Sequence, residues 1–283
     1  MDPRGQPEER AGRFGSPVNA FTLLELLVVI AILAVLAALL LPVLGRSKDR
    51  ALTVACQNQL AQLQVCWHLY AVDHADVLPP NNSVYNLNTG TPLARGASWC
   101  LGNARLDVEP TNIQNGLLFL YNQSTAIYRC PADRSTVETP EGRSLGLPRT
   151  RSYNMSQSVN GWPEYDPYLA QFIPSYKKLT QIQAPPPSRL MVFLDVHEDS
   201  ILDSLFGIPT LQWWGDARQW WDIPANRHGQ GCSFSFADGH VEHWRWRVPK
   251  TVRVRLAAQA VPDEELPDYR RVQQAVRQSW ETP

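Results

Sequence analysis

A single carboxylate stands inside the most apolar stretch of the chain. Phe21 to Leu44 reads FTLLELLVVIAILAVLAALLLPVL, and Glu25 is its one charge. A helix rises about 1.5 Å per residue, so this run is long enough to cross a hydrocarbon core of about 30 Å. A carboxylate held there costs roughly 2.5–3.5 kcal/mol at mid-membrane and less toward an end. Glu25 therefore calls for a partner, and a plain signal-anchor helix supplies none.

Other residues with chemical potential gather in the second half. Asp195, His197, Glu198, Asp199 and Asp203 form an acidic cluster just after a predicted strand. Oxygen-rich groups suit Ca²⁺, which takes about six to eight oxygen ligands. Asp195, Glu198 and Asp199 are the candidate ligands for a structural ion; without EF-hand spacing, a solvated loop is the simpler reading. His228, Asp238, His240 and His243 offer acid–base or metal chemistry in principle. An Asp-Gly turn accounts for Asp238, however, and a loop-fixing hydrogen bond accounts for His228. His240 and His243 fall on opposite faces of a strand. The chain has no Gly-x-Ser-x-Gly, no phosphate-binding glycine loop and no His-Glu-x-x-His, so no enzymatic activity is expected.

Trp213-Trp214 and Trp220-Trp221 bracket a short polar segment. Exposed, they would make an aromatic platform for a glycan or protein ligand; buried, they would anchor a loop. The five cysteines are an odd number. Cys56 and Cys66 lie about 15 Å apart along one predicted helix and cannot pair with each other. Cys100 and Cys130 could form a disulfide in an oxidising compartment, or remain buried thiols like the rest. No CxxC spacing points to zinc.

Bulk properties narrow the class. The formal net charge of -1 gives no global field for nucleic acid or an anionic surface. Only Phe21–Leu44 is long and apolar enough to span, which allows at most one pass. The 23 prolines and 10 tryptophans of the 283 residues describe a loop-rich globular domain that can bury a core. An ordinary secretory signal is shorter and is followed by its small-residue cleavage site. Here Ala20 precedes the apolar run.

The segment Ala20 | Phe21-Thr22-Leu23-Leu24-Glu25, followed by an unbroken apolar run, resembles the type IV prepilin signature of pilins and type II secretion pseudopilins. Ala20 stands where that family usually has glycine; a small side chain still fits the cleavage site. The resemblance implies a cytoplasmic leader, residues 1–20, removed by a prepilin peptidase, with Phe21 becoming an N-methylated terminus. It also implies that Glu25 binds the terminal amine of a neighbouring subunit. Partners so implied are the peptidase, other pilin-like subunits, and an inner-membrane assembly platform with its ATPase. The basic residues on both sides of the span leave the positive-inside rule undecided; the resemblance places the bulk of the chain outside the inner membrane. A second resemblance lies near the C-terminus. His228, nine residues, then Asp238-Gly239 is similar to the processing-associated segment of many prepilin-type proteins. Membrane-tethered recognition through the tryptophans remains the alternative.

These residues need elements to hold them. The helical period continues past Gly45 through Leu52, Ala55, Leu60, Leu63, Trp67 and Tyr70. Residues 21–44 are thus expected as a membrane and assembly helix and 45–72 as its amphipathic continuation, with Pro42 a candidate kink. Residues 73–283 are expected as a globular domain with strands at Ser98–Leu101, Ile127–Cys130, Ser152–Val159 and Leu190–Leu194. A hairpin is expected from Cys232 to Trp246 around a two-residue Asp238-Gly239 turn with both residues at positive φ. After Pro267, Tyr269, Val272, Val276 and Trp280 share one face of a short helix. The sum is an α+β, pilin-like fold: a long N-terminal helix on an antiparallel sheet, with loop-rich insertions.

Overall fold

The computed structural model describes residues 22–85, 91–161, 173–211 and 218–279. The chain divides into two compact units, Met1–Ser47 and Lys48–Pro283. A helix, α1 (Leu23–Asp73), begins in the first and ends in the second, continuous through Pro42 and Gly45. In the first unit every described side chain is exposed, including Leu23, Leu27, Ile30, Leu33, Leu36 and Leu40. A soluble domain does not leave such an apolar surface in water. It is the one described helix long and apolar enough to cross a membrane, and it gives the chain a single-pass anchor.

The second unit is built on the later turns of α1. Cys56, Leu60, Leu63, Trp67, Tyr70 and Ala71 are buried there, at the spacing of one helical face. The buried stripe starts at Cys56 rather than at Leu52 or Ala55: Ala55 is exposed and Leu52 half-buried. A step of one residue turns the side chain by about 100°, which carries Ala55 off the face that Cys56 begins.

Eleven strands follow among the described residues. β1 (Asn81–Tyr85) pairs with β2 (Pro92–Ser98), and β3 (Thr136–Glu138) with β4 (Ser144–Pro148). The central strands are β5 (Tyr153–Ser156), β6 (Met191–Asp195), β7 (Leu205–Phe206), β9 (Gly231–Phe236) and β10 (Val241–Arg245), in the order β10-β9-β6-β5-β7. All neighbours are antiparallel except the β5–β7 pair. β8 (Gln219–Trp220) pairs with β11 (Gln259–Ala260). Two four-residue helices, α2 (Thr111–Gln114) and α3 (Phe119–Asn122), lie in the long insertion after β2, and α4 (Leu266–Gln273) lies near the C-terminus.

Two cores flank the central sheet. One joins the α1 stripe to Tyr153, Met155, Val192 and Phe193. The other joins Cys232, Phe234, Phe236, Trp244 and Trp246 to Tyr269 and Val272 of α4. The alternation of β9 explains the division. Its large residues fill the second core, while Ser235 faces the helix and donates to Gln64 Oε1 at 2.9 Å. Small side chains on that face let α1 approach the strand closely. α4 ends at Gln273; Val276 is buried beyond it, and Trp280 lies outside the described residues.

Three expectations need correction. Ile127–Cys130 is not a strand: Thr125–Tyr128 is a 3₁₀ turn in which Ile127 and Tyr128 are both buried. The turn brings both into the core that α1 shares with the sheet. The strand at Ser98 also ends there rather than running to Leu101. In the hairpin, the loop holds three residues, Ala237-Asp238-Gly239, and Gly239 alone of these has positive φ, at 101°. Gly239 N–H donates to Phe236 O at 2.9 Å and Phe236 N–H to His240 O at 3.0 Å, a type I turn closed by a glycine bulge.

Gly231 opens β9 under a tight constraint. A Cβ there would lie 2.4 Å from Trp244 O and 2.5 Å from the His243 ring, whereas one on Gly229 meets nothing within 4 Å. Gly231→Ala is expected to cost about 1–3 kcal/mol by overpacking, and Gly229→Ala, at φ 75°, only about 1 kcal/mol of backbone strain. Thermal melts of the full chain in detergent, followed by circular dichroism, test that ranking.

Candidate functional site

At the start of α1, Thr22 and Glu25 satisfy each other. Glu25 N–H donates to Thr22 Oγ1 at 3.2 Å, and Thr22 N–H and Oγ1 both reach Glu25 Oε2 at 2.8 Å. This is a capping box with Thr22 as N-cap and Glu25 three positions on. The Thr-x-x-Glu spacing of this box is plain in the sequence. Such a cap contributes about 0.5–2 kcal/mol to a helix start. Glu25 therefore has a local partner within its own chain. Ala20 and Phe21 lie outside the described residues.

The His-nine-Asp-Gly segment has a simple geometry. His228, Gly229 and Gln230 are all left-handed, with φ of 55°, 75° and 66°. The paired bonds Arg227 N to Gly231 O, 2.8 Å, and Gly231 N to Arg227 O, 2.7 Å, close that turn. β9 follows, and Asp238-Gly239 forms the next turn. The nine-residue spacing is thus a turn, a strand and a turn. His228 and Asp238 sit at opposite ends of β9, roughly 20 Å apart, and cannot share a site. Asp238 accepts from His240 N at 3.2 Å and contacts His240 Nδ1 at 2.5 Å. The neighbouring Ala237 O meets His68 Nε2 of α1 at 3.0 Å. That end fastens the hairpin to the helix.

At the other end, His228 Nε2 lies 3.1 Å from Cys130 Sγ. Cys56, Cys130, Asp195 and His228 each bring one donor atom to a group whose members lie within 4.8 Å of one another. They come from α1, the segment after the 3₁₀ turn, the end of β6 and the left-handed turn. Tyr153 Oη lies 3.2 Å from Cys56 Sγ and 2.8 Å from Gln59 Oε1. Asp195 is fully buried; Oδ1 contacts Arg227, and Oδ2 has no hydrogen-bond partner. The Cys56 thiol beside it, together with burial, pushes the Cys130 thiol far above its ordinary value. Burial raises Asp195, with Arg227 opposing. Burial, then His243 and Arg227, lower His228 to about 4. All three are driven toward their uncharged forms.

Of the two alternatives for Cys100 and Cys130, the disulfide is not formed; all five cysteines are free and buried. Cys100 Sγ is turned toward Leu101 O, at 3.6 Å, while Cys130 Sγ faces the His228 group.

The acidic cluster is not an oxygen cage. Arg227 contacts Asp195, Glu198 Oε2 at 2.9 Å and Asp133 Oδ1 at 3.2 Å. Asp199 Oδ1 accepts from Arg255 Nε at 2.8 Å. Asp203 accepts from the backbone N–H groups of Tyr85 and Leu205, both at 2.9 Å. Burial lifts Asp203 to about 6 although these donors hold it down. Asp195, Glu198 and Asp199 thus face arginines, and arginine excludes Ca²⁺ from the same oxygens.

Of the two readings open for the tryptophan pairs, Trp220 takes the buried one. Trp220 is fully buried, donates from Nε1 to Glu265 Oε2 at 3.1 Å and stands edge-on to Tyr269. It anchors β8 to α4. Trp221 is half-buried, and Trp213 and Trp214 lie outside the described residues.

No curated protein and no solved structure matches the chain. Residues 16–41 match the family described as the prokaryotic N-terminal methylation motif. That segment contains the capped start of the exposed apolar helix, and with it the chain carries a type IV prepilin-like signature at its N-terminus.

Proposed function

We propose that the chain is a pseudopilin or minor pilin-like structural subunit and not an enzyme. The observation that carries this reading is the methylation-motif match at residues 16–41, with Glu25 the sole charge of the apolar run. A prepilin peptidase cuts between Ala20 and Phe21, and the new terminus is N-methylated. The subunit is held in the inner membrane, with its globular domain on the outer side. An assembly platform and ATPase then draw it into a secretion pseudopilus or pilus-like fibre with other pilin-like subunits. Glu25 leaves its Thr22 cap to meet the terminal amine of a neighbour, an ion pair formed where an unpaired carboxylate is expensive. The segment bearing His228, Asp238 and Gly239 serves as the turn-strand-turn that joins sheet to helix. The alternative, a binding module built on Trp213, Trp214, Trp220 and Trp221, would have to work without Trp220, which is inside the domain.

Co-expression with a prepilin peptidase is expected to reduce the mass by residues Met1–Ala20 and add one methyl group, read by intact-mass spectrometry. Glu25→Ala should still be cleaved but enter assemblies roughly tenfold less or worse, equivalent to about 1.4 kcal/mol per contact. Thr22→Ala removes the cap and keeps the carboxylate, so it separates a capping defect from an assembly defect. A retained leader, or equal incorporation of Glu25→Ala, refutes the proposal.

A further inference from the structure

We propose that Cys56, Cys130, Asp195 and His228 form a four-coordinate structural zinc site that ties α1 to the central sheet. Zinc bonds of about 2.3 Å to sulfur and 2.0–2.2 Å to nitrogen and oxygen put tetrahedral donors about 3.3–3.8 Å apart. The group here, within 4.8 Å overall and 3.1 Å between His228 Nε2 and Cys130 Sγ, brackets that range. Small side-chain rotations close the difference.

The donor set selects the ion. Two thiolates and an imidazole suit zinc, whereas one carboxylate gives Ca²⁺ or Mg²⁺ too few oxygens. Four protein donors leave no open position, which makes the role structural rather than catalytic. Two independent features point to a ligand. Asp195 is fully buried, yet its Oδ2 has no hydrogen-bond partner, an arrangement that costs free energy unless something binds there. His228 is a non-glycine residue held in the left-handed region at φ 55°, and such strain persists where surrounding structure requires the side chain's position.

The surroundings suit a bound dication. With both thiols and Asp195 ionised the ligands carry −3, which a bound dication reduces to −1, and the Arg227 guanidinium already contacts Asp195 Oδ1. Tyr153 Oη lies within reach of the Cys56 sulfur. Groups of this kind orient and tune metal ligands. Cys130 also lines a surface cleft of about 390 Å³ with Gln59, Arg129 and Arg149, which gives an ion a route in. The consequence is a cross-link between Cys56 on the helix and His228 beside β9, made without a disulfide.

The test uses the full chain in detergent with reductant, titrated first with Co²⁺ and then with Zn²⁺. One Co²⁺ per chain is expected to bind with thiolate-to-cobalt charge-transfer absorption and a tetrahedral d–d spectrum, both abolished by Zn²⁺. His228→Gln and Asp195→Asn are each expected to weaken Co²⁺ binding roughly 100-fold or more, while Cys100→Ser leaves it unchanged. The titration of the parent chain decides the question even where a variant fails to fold. Absence of the charge-transfer band at excess Co²⁺, an octahedral spectrum, or a Cys56–Cys130 disulfide mapped in the chain as purified from cells overturns the proposal.

Discussion

The full chain carrying Arg227→Met is expected to melt roughly 6–20 °C below the parent. The Arg227 side chain is 8% exposed and contacts Asp133, Asp195 and Glu198, which are 1%, 0% and 43% exposed. Burial works to raise the Asp133 carboxyl, but Arg227 and the Ser152 hydroxyl outweigh it and hold it below the usual range. Methionine fills much of the same volume and removes the cation. Glu198 then turns to water and loses little. Asp133 cannot turn, and Asp195 Oδ1 joins Oδ2 without a donor. Breaking a buried pair from one side costs about 3–5 kcal/mol, and each kcal/mol shifts the midpoint by about 2–4 °C at this size. The deficit should narrow as pH falls, because a proton can replace the missing guanidinium on Asp133. Adding Asp133→Asn to the variant should recover part of the loss at neutral pH. Circular dichroism melts in detergent across pH 5–8 supply the check; a midpoint within about 2 °C of the parent, or a deficit that does not change with pH, rejects this account.

Why the acidic cluster looked solvated follows from the same geometry. Asp195 to Asp203 is a dense run of carboxylates, and nothing local to it shows that Arg227 and Arg255 fold back onto it. Charge pairing between distant segments has no period, so it leaves no pattern to read. Apolar period does: the stripe from Cys56 to Tyr70 and the alternation Cys232, Phe234, Phe236 were both legible, and they place α1 and β9 on their cores. Local polar signals fall between. The Thr22–Glu25 box and the Asp238-Gly239 turn were present as short motifs, and the latter was misjudged by one residue because Ala237, which an apolar pattern assigns to the strand, gives its carbonyl to His68 instead. The Cys56, Cys130, Asp195 and His228 group was invisible. No two of its members share an element, and each has an ordinary explanation alone: a stripe residue, a thiol before proline, a strand end, a loop histidine.

The reciprocal arrangement surrounds Glu138, where one carboxylate serves three arginines. Oε2 accepts from Arg105 at 2.6 Å, Oε1 from Arg149 at 2.8 Å, and Arg255 also contacts Oε1. Arg149 is 1% exposed and Arg105 10%, whereas Arg255 is 40% exposed and keeps Asp199 as a second partner. Glu138→Gln preserves shape and removes the charge. Arg255 can relax toward Asp199 and solvent, but Arg105 and Arg149 are left as inner cations sharing a neutral amide. An expected loss of about 3–5 kcal/mol follows, a large part of the roughly 5–15 kcal/mol that holds a domain together. Acid gives an independent reading of the same contact. Burial alone would raise the Glu138 carboxyl, yet the hydrogen bonds from Arg255 and Arg105 bring it down to about 2. Its folded value lies below the unfolded value, so the unfolded chain binds the proton first and stability falls with pH. The contribution is whole above about pH 4.5 and is lost as pH approaches 2. The parent and Glu138→Gln curves of stability against pH should therefore run parallel from neutral pH to about 4.5 and converge below it. Urea unfolding of both proteins at stepped pH measures that convergence. Curves that stay parallel down to the lowest accessible pH would mean that the arginines, and not the charge on Glu138, set the stability of this corner of the fold.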